Sequence, residues 1–484
     1  MRCFIGMDLG TSALKALLVS EAGEIVRETS RAYPVSVSGV CSEQDPEDWI
    51  RAVRETLAEL SAAAPGAIAG VALGGQMHGL VALDEAGEVI RPCILWNDGR
   101  TEAETAYLNE TVGEDVLLSR TANIAFAGFT APKLLWMRRH EPEKFARIRH
   151  ILLPKDYVVY RLSGEFSTDY SDASGTLLLD VANRRWSEEM CALCGVRAEW
   201  LPALHESWEI VGELRAEFGL PGAVVCAGAG DNAAAAIGTG TVRDGQCNIS
   251  LGTSGTVFIP CGAPDGGSGS GLHFFAHANG GWHRMGCILS AASANRWWIE
   301  EILQSGDYEG ETAGAECFLG DNPVLFLPYL CGERSPINDV RARGGFLGLS
   351  AETTRAQMSL AVLEGVSFAL RSCLSIAQKE GARCTLATVC GGGARSALWR
   401  RILANVLNIP VAVPVTEQGP ALGAAILAMT GCGVYPDVFA AANSFARTGE
   451  PVAPDPALAV RYGERYAVYE RLYPALKDIF PAMQ

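Results

Sequence analysis

Apolar residues in this chain arrive in short runs that end at glycine, and the runs recur. Residues 4–8 form a strand-like stretch that breaks into Leu9-Gly10-Thr11-Ser12, after which residues 13–31 predict a hairpin turning at Glu21-Ala22-Gly23. Residues 80–94 predict a second hairpin that turns at Glu85-Ala86-Gly87. Between them, residues 46–60 have helical spacing, with Trp49, Ile50, Val53 and Leu57 on one face and Asp45 placed to cap the start. Residues 131–162 read as helix in two pieces broken near Pro154, and the Gly, Ser and Asp clusters of 164–186 read as ordered loops. Strands resume over 245–260, helices follow at 290–303 and 356–379, and the chain ends in helices after Val438. Hairpins alternating with helices and further strands give an α/β chain.

The pattern is duplicated. Leu9-Gly10-Thr11-Ser12 returns half a chain length later as Leu251-Gly252-Thr253-Ser254, each copy fed by a strand-like run. Such a turn presents backbone N–H groups and hydroxyls without obstruction, a means of holding phosphate, so two copies suggest a polyphosphate gripped from both sides. Ala69 to Gly75 and Thr388 to Gly393 are likewise apolar runs ending in glycines. Two segments crowded with small residues, 232–238 and 420–425, predict helices that approach closely, as a hinge or a tightly packed pair would. The boundary between halves is expected near Gly238-Thr239-Gly240, giving domains 1–238 and 239–484.

A chain of 484 residues with 49% hydrophobic content supports two cores. The net charge of −16 argues against general affinity for nucleic acid or anionic membrane, which need basic surfaces. No apolar run is expected to cross a bilayer, and the N-terminal run reads as a buried strand rather than a signal peptide. The 15 cysteines are scattered, with Cys191 and Cys194 the only CxxC pair, which suits reduced thiols in a cytoplasmic protein.

Asp8 just before the first glycine turn would repel a phosphate unless a cation intervened. Mg2+, which takes oxygen ligands and bridges a lone carboxylate to substrate phosphates through retained water, matches that position. Lys15 is close enough in sequence for phosphate contact, with a solvent-facing position the equal alternative. Asp231 opens the small-residue helix, where the helix terminus is expected to lower its pKa and keep it charged, fit to accept a proton from a substrate hydroxyl. Gly74-Gly75-Gln76-Met77-His78-Gly79 sets polar side chains at a strand end, and Leu95-Trp96-Asn97-Asp98-Gly99-Arg100 offers an aromatic plate with mixed donors and acceptors, suited to a polyhydroxylated ligand. His273, His277 and His283 lack acidic partners at metal-site spacing.

Residues 8–12, 74–79, 95–100, 128–133, 153–157, 230–232, 250–255, 332–336 and 391–396 together closely resemble the FGGY carbohydrate kinases over nearly the whole chain. The resemblance implies two duplicated ribonuclease H-like domains of the actin, Hsp70 and sugar kinase ATPase fold, sugar on the N-terminal side and nucleotide on the C-terminal side of a central cleft. It implies ATP and Mg2+ as cofactors, D-xylulose as acceptor, and a cytoplasmic homodimer. Asp231 would be the base, and Asp8 would help place Mg2+. Met77, His78, Asn232, Trp96 and Asp98 would meet the sugar. Gly10, Thr11, Ser12, Gly252, Thr253, Gly255, Gly391, Gly392, Gly393 and Ala394 would meet ATP. The rivals are another ketose or polyol (ribulose, gluconate, glycerol), an actin-like or Hsp70-like nucleotide switch, and a non-catalytic sugar sensor. Residues 266–271, rich in glycine and serine, and 305–322 match no motif.

Overall fold

The computed structural model describes residues 1–264, 269, 271–415 and 418–483. Its two large sheets repeat one plan. In the first, strand Cys3–Leu9 pairs antiparallel with Ala13–Ser20, which pairs with Ile25–Ala32, while its other edge runs parallel to Ile68–Gly75. Val224–Cys226 and Ala229–Gly230 extend the parallel side. In the second, Gly245–Leu251 pairs antiparallel with Gly255–Cys261, which pairs with Trp282–Ile288, while its other edge runs parallel to Cys384–Cys390 and then Val411–Ala412. Each glycine turn therefore joins the first two strands of its sheet, and each second glycine-ended run is the parallel neighbour.

Strand alternation sorts the first core. Ile5, Met7 and Leu9 pack with Trp49, Ile50, Val53 and Leu57 of helix Pro46–Ala63, which Asp45 caps by accepting the Glu47 N–H at 3.0 Å. Phe4, on the opposite face, packs against Ala233, Ala234 and Ile237 of helix Asp231–Gly238 and Ala421, Ala424 and Ala425 of helix Gly419–Gly431. That second helix lies beyond the expected boundary, yet it covers the first sheet. Only glycine permits the approach: a side-chain carbon at Gly423 would overlap the Ala234 carbonyl, and one at Gly6 would overlap the Ala421 carbonyl.

Helix Arg355–Lys379 crosses the core of the second half. By length and composition it could span a bilayer, contrary to the sequence expectation, but 78% of its apolar window is buried in protein. Interior apolar packing and lipid select the same side chains.

Other expectations need correction. The 80–94 hairpin is reduced to bridges at Leu80–Ile94 and Leu83–Val89, because Val81–Leu83 pairs instead with the distant strand His150–Leu152. Residues 131–162 contain three helices, Thr130–His140, Pro142–Arg147 and Pro154–Ser163, with that strand between. Pro154 opens its helix rather than breaking one, since a first-turn residue needs no N–H. The expected helix at 290–303 begins at Ala292 and widens into a π-helix over Trp297–Ile302. The loops of 164–186 carry buried short strands and a helical turn, Tyr170–Ala173. Most of the 266–271 segment lies outside the described residues.

Candidate functional site

The parallel strands of the first sheet end together, and that register gathers the acids. Asp8 stands beside Gly74, and Ala229–Gly230 pairs with Gly74 and Gly75, delivering Asp231 to the same edge. Both carboxylates reach solvent through the cleft while lying deep among protein atoms. Burial pushes Asp8 up to about 7, reinforced by the charge of Asp231 and opposed by Lys15. Burial likewise pushes Asp231 up to about 6, although its carboxylate accepts the backbone and side-chain N–H groups of Asn232 at 2.7 and 2.8 Å. The helix terminus was expected to lower this pKa; desolvation outweighs it. Asp8 receives no hydrogen bond or ion pair among the described residues, while Lys15 pairs with Glu28 at 3.2 Å.

The first glycine turn is tied down. The Gly10 carbonyl accepts the Tyr33 hydroxyl at 2.5 Å, the Thr11 carbonyl accepts Gln44 Nε2 at 2.7 Å, and Thr11 Oγ1 accepts Trp96 Nε1 at 3.0 Å. Ser12 is exposed. Trp96 thus joins the phosphate-turn candidate to the sugar candidates. His78 has positive φ, stacks on Phe129, and donates from Nδ1 to the Gly175 carbonyl at 2.9 Å. Burial, with the nearby Lys133, His273 and Arg334 charges, holds its pKa well below the ordinary value, so the neutral ring presents Nε2 as an acceptor. Lys133 Nζ clamps the His78 and Gly128 carbonyls at 2.7 and 2.6 Å. Met77 packs on Gly230, immediately before Asp231. Asp98 is buried and its carboxylate is filled by Ser42 N, Arg100 N and the Arg100 guanidinium. It braces the wall rather than facing the cleft with a free oxygen.

A network behind Asp231 joins one stretch marked in the sequence, 153–157, to residues that the sequence did not mark. The Gly230 N–H donates to Ser171 Oγ at 3.0 Å, and Ser171 donates to Asp169 at 2.5 Å. Lys155 Nζ lies 2.6 Å from Asp156, 3.2 Å from Asp169 and 3.8 Å from Asp172, and donates to the Ala227 carbonyl at 3.1 Å. The strand end bearing Asp231 is therefore held on both sides by fully buried groups. Burial pushes Asp172 far up despite Lys155, which leaves one ammonium among three acids without three full charges. Lys155 and Asp156 lay in a quoted motif, but only the fold brings Asp169 and Asp172 to them.

Across the cleft, the second glycine turn borders open space. Thr253, Gly392 and Gly393 line a cavity of about 1030 Å³, walled also by Tyr308, Glu309, Thr312 and Cys317 from the previously unassigned 305–322 segment. A second cavity of about 310 Å³ runs between the halves and is lined by Asp231, Asn232, Ser250 and Gly391. Gly255 and Ala394 are buried beside these walls, Gly255 against Ile288 and Ala291. His273, His277 and His283 are buried among Phe258, Phe275 and Phe126, their pKa values depressed by burial.

Comparison with known proteins agrees with this architecture. Residues 3–238 match the FGGY family of carbohydrate kinases, N-terminal domain, and 247–432 match its C-terminal domain. The chain is similar to the xylulose kinase of Bacillus subtilis, 37% identical and covering 100% of this chain and 99% of that one. It superposes on the crystal structure of a xyloylose kinase from Brucella ovis with a TM-score of 0.94 at 43% identity, covering 99% and 100%. A gluconate kinase from Lactobacillus acidophilus aligns with a TM-score of 0.95 at 25% identity over 100% of both chains. Two glycine-turn sheets facing each other over paired aspartates, matched by both family domains, establish that the chain belongs to the FGGY family of carbohydrate kinases and is an ATP-dependent sugar kinase.

Proposed function

We propose that this enzyme transfers the γ-phosphoryl group of ATP to the terminal hydroxyl of D-xylulose, giving D-xylulose 5-phosphate. The observation that carries the reading is Asp231 on the wall of the inter-half cavity, beside Asn232 and Asp8, with the Met77–His78 strand end on one side and Gly391 on the other. With a pKa near 6, Asp231 is ionised at neutral pH yet more basic than an ordinary aspartate, which suits acceptance of a hydroxyl proton as phosphoryl transfer proceeds. Such a base contributes about 10² to 10⁴-fold.

The residues fit a divalent cation. Among the described residues Asp8 offers an unpartnered carboxylate whose pKa is raised by burial and then by repulsion from Asp231, and an oxygen-seeking cation relieves both. Asp8 would hold Mg2+ through water, and the ion would supply charge neutralisation at the phosphates. Gly10 and Thr11 on one side, with Gly252, Thr253 and Gly391 to Gly393 on the other, bind and orient the nucleotide. His78 Nε2 and Met77 seat the sugar, with Asn232 steadying Asp231. Closure over the site excludes water, the competing acceptor. The domain division at 238/239, a homodimeric state and a cytoplasmic location belong to the same proposal.

The test is ADP release with Mg-ATP and D-xylulose, D-ribulose, L-ribulose, glycerol, gluconate or no sugar. Stimulation by D-xylulose alone is expected. Stimulation by a different acceptor would overturn the substrate, and sugar-independent hydrolysis would overturn transfer.

A further inference from the structure

Every sugar-facing residue named so far comes from the first half of the chain, but a cation of the second half reaches the same wall. Arg334 Nη2 lies 3.5 Å from the position a side-chain carbon on Gly128 would take, and that position abuts the Trp96 carbonyl. The guanidinium is near enough to His78, Lys133 and His273 to act on each electrostatically.

Its backbone is fixed. The Arg334 N–H donates to Glu333 Oε1 at 2.8 Å, and the same oxygen accepts the Leu289 N–H at 2.7 Å. Ser335 N donates to the Cys287 carbonyl at 3.0 Å, and Asn338 N to the Arg334 carbonyl at 2.7 Å. Buried Glu333 thereby pins the segment to the end of strand Trp282–Ile288.

The side chain, by contrast, has no ion-pair or hydrogen-bond partner among the described residues. Asp98, whose field also reaches Lys133, is already filled by Arg100 and Ser42. Lys133 and the neutral histidines offer no compensation. Glu333 lies in its field, but burial pushes that carboxyl up to about 8 and its Oε1 is taken by two backbone N–H groups, so a half-buried guanidinium on a rigid backbone is a costly arrangement for a merely structural group.

We propose that Arg334 is a sugar-binding residue supplied by the second half of the chain, its guanidinium donating hydrogen bonds to an oxygen of the acceptor seated against His78 and Trp96. This rests on the sugar kinase reading of the cleft but not on which sugar is used. It makes acceptor recognition a joint act of both halves, so that the sugar bridges them.

The test uses the full chain. Sugar and ATP Michaelis constants are measured for the parent, Arg334→Met and Arg334→Lys, with calorimetric titration of D-xylulose and a thermal midpoint for each. For Arg334→Met the sugar KM and Kd should rise about 10- to 100-fold, the loss of charged hydrogen bonds. The ATP KM should stay within about two-fold, with an unchanged midpoint. Arg334→Lys should recover part of the loss, since it keeps the charge without the planar fork. An unchanged sugar KM in folded Arg334→Met would overturn the proposal, as would sugar and ATP constants rising together. If the parent prefers another acceptor, the same series is run with that acceptor, so the substrate reading and the Arg334 assignment fail separately.

Discussion

The two glycine turns have the same sequence and the same place in their sheets, yet opposite surroundings. Leu9-Gly10-Thr11-Ser12 is tied by Tyr33, Gln44 and Trp96 and preceded by Asp8, whereas Leu251-Gly252-Thr253-Ser254 is preceded by Ser250 and borders the large cavity. By register, Asp8 and Ser250 are counterparts: Asp8 stands next to Gly74 and Lys15, and Ser250 next to Cys390 and Thr256. A duplicated backbone has thus been divided by a few side chains: one copy is charged and tied by distant side chains, while the other is neutral, tied by the Ala291, Ala292 and Ser293 N–H groups and the Ser293 hydroxyl, and roomy for nucleotide.

Removing the charged chemistry from the first copy should have the largest effect. Asp231→Asn should lower kcat by about 10² to 10⁴-fold, with ATP affinity within a few-fold by equilibrium binding. A near-normal rate would remove Asp231 from the mechanism. Because burial penalises its charge, the same variant should be more stable than the parent at pH 8 by about 1 kcal/mol in denaturant titration, discounted for cleft solvent.

Asp8→Ser makes the first turn resemble the second. The Mg2+ concentration for half-maximal rate should rise about ten-fold or more while the sugar KM holds, and an unchanged Mg2+ midpoint would dissolve the contrast. His78→Ala should raise the sugar KM about ten-fold with little change for ATP, and equal losses would point to misfolding. Thr253→Val, on the nucleotide side, should do the converse more weakly, raising the ATP KM about three- to ten-fold.

The smallest effect is the most diagnostic of environment. The base must be ionised, so kcat/KM should fall as pH drops through about 6, near two units above an ordinary aspartate. Folding responds oppositely at this pair: the native state retains protons that the unfolded chain has released, so the two acids destabilise least at low pH. An acid limb near pH 4 would mean that the cleft is wetter than the packing indicates.

Local pattern made the repeated plan legible. Apolar runs ending in glycine mark the first strand of each sheet and its parallel neighbour, Asp45 caps its helix, and the small residues at 232–238 and 420–425 do pack helix on helix. Partnerships between distant segments were illegible. Nothing in Val81–Leu83 points to His150–Leu152, and nothing near Lys155 announces Asp169 and Asp172. The charge state of Asp231 was misread for a related reason: a helix terminus is visible in sequence, whereas desolvation depends on everything that folds around it.

Helix Gly419–Gly431 lies against Gly6 and Gly74, so the first sheet is finished by residues made very late. At ordinary ribosomal speed, the stretch between Gly75 and Gly419 takes on the order of 20 to 70 s to synthesise. For that interval the oily face around Phe4, Leu17 and Ala72 lacks one of its two covering helices, with only Asp231–Gly238 to shield it once that segment has been made. The halves look like separable copies, but the nascent protein must wait for its end before its beginning can settle.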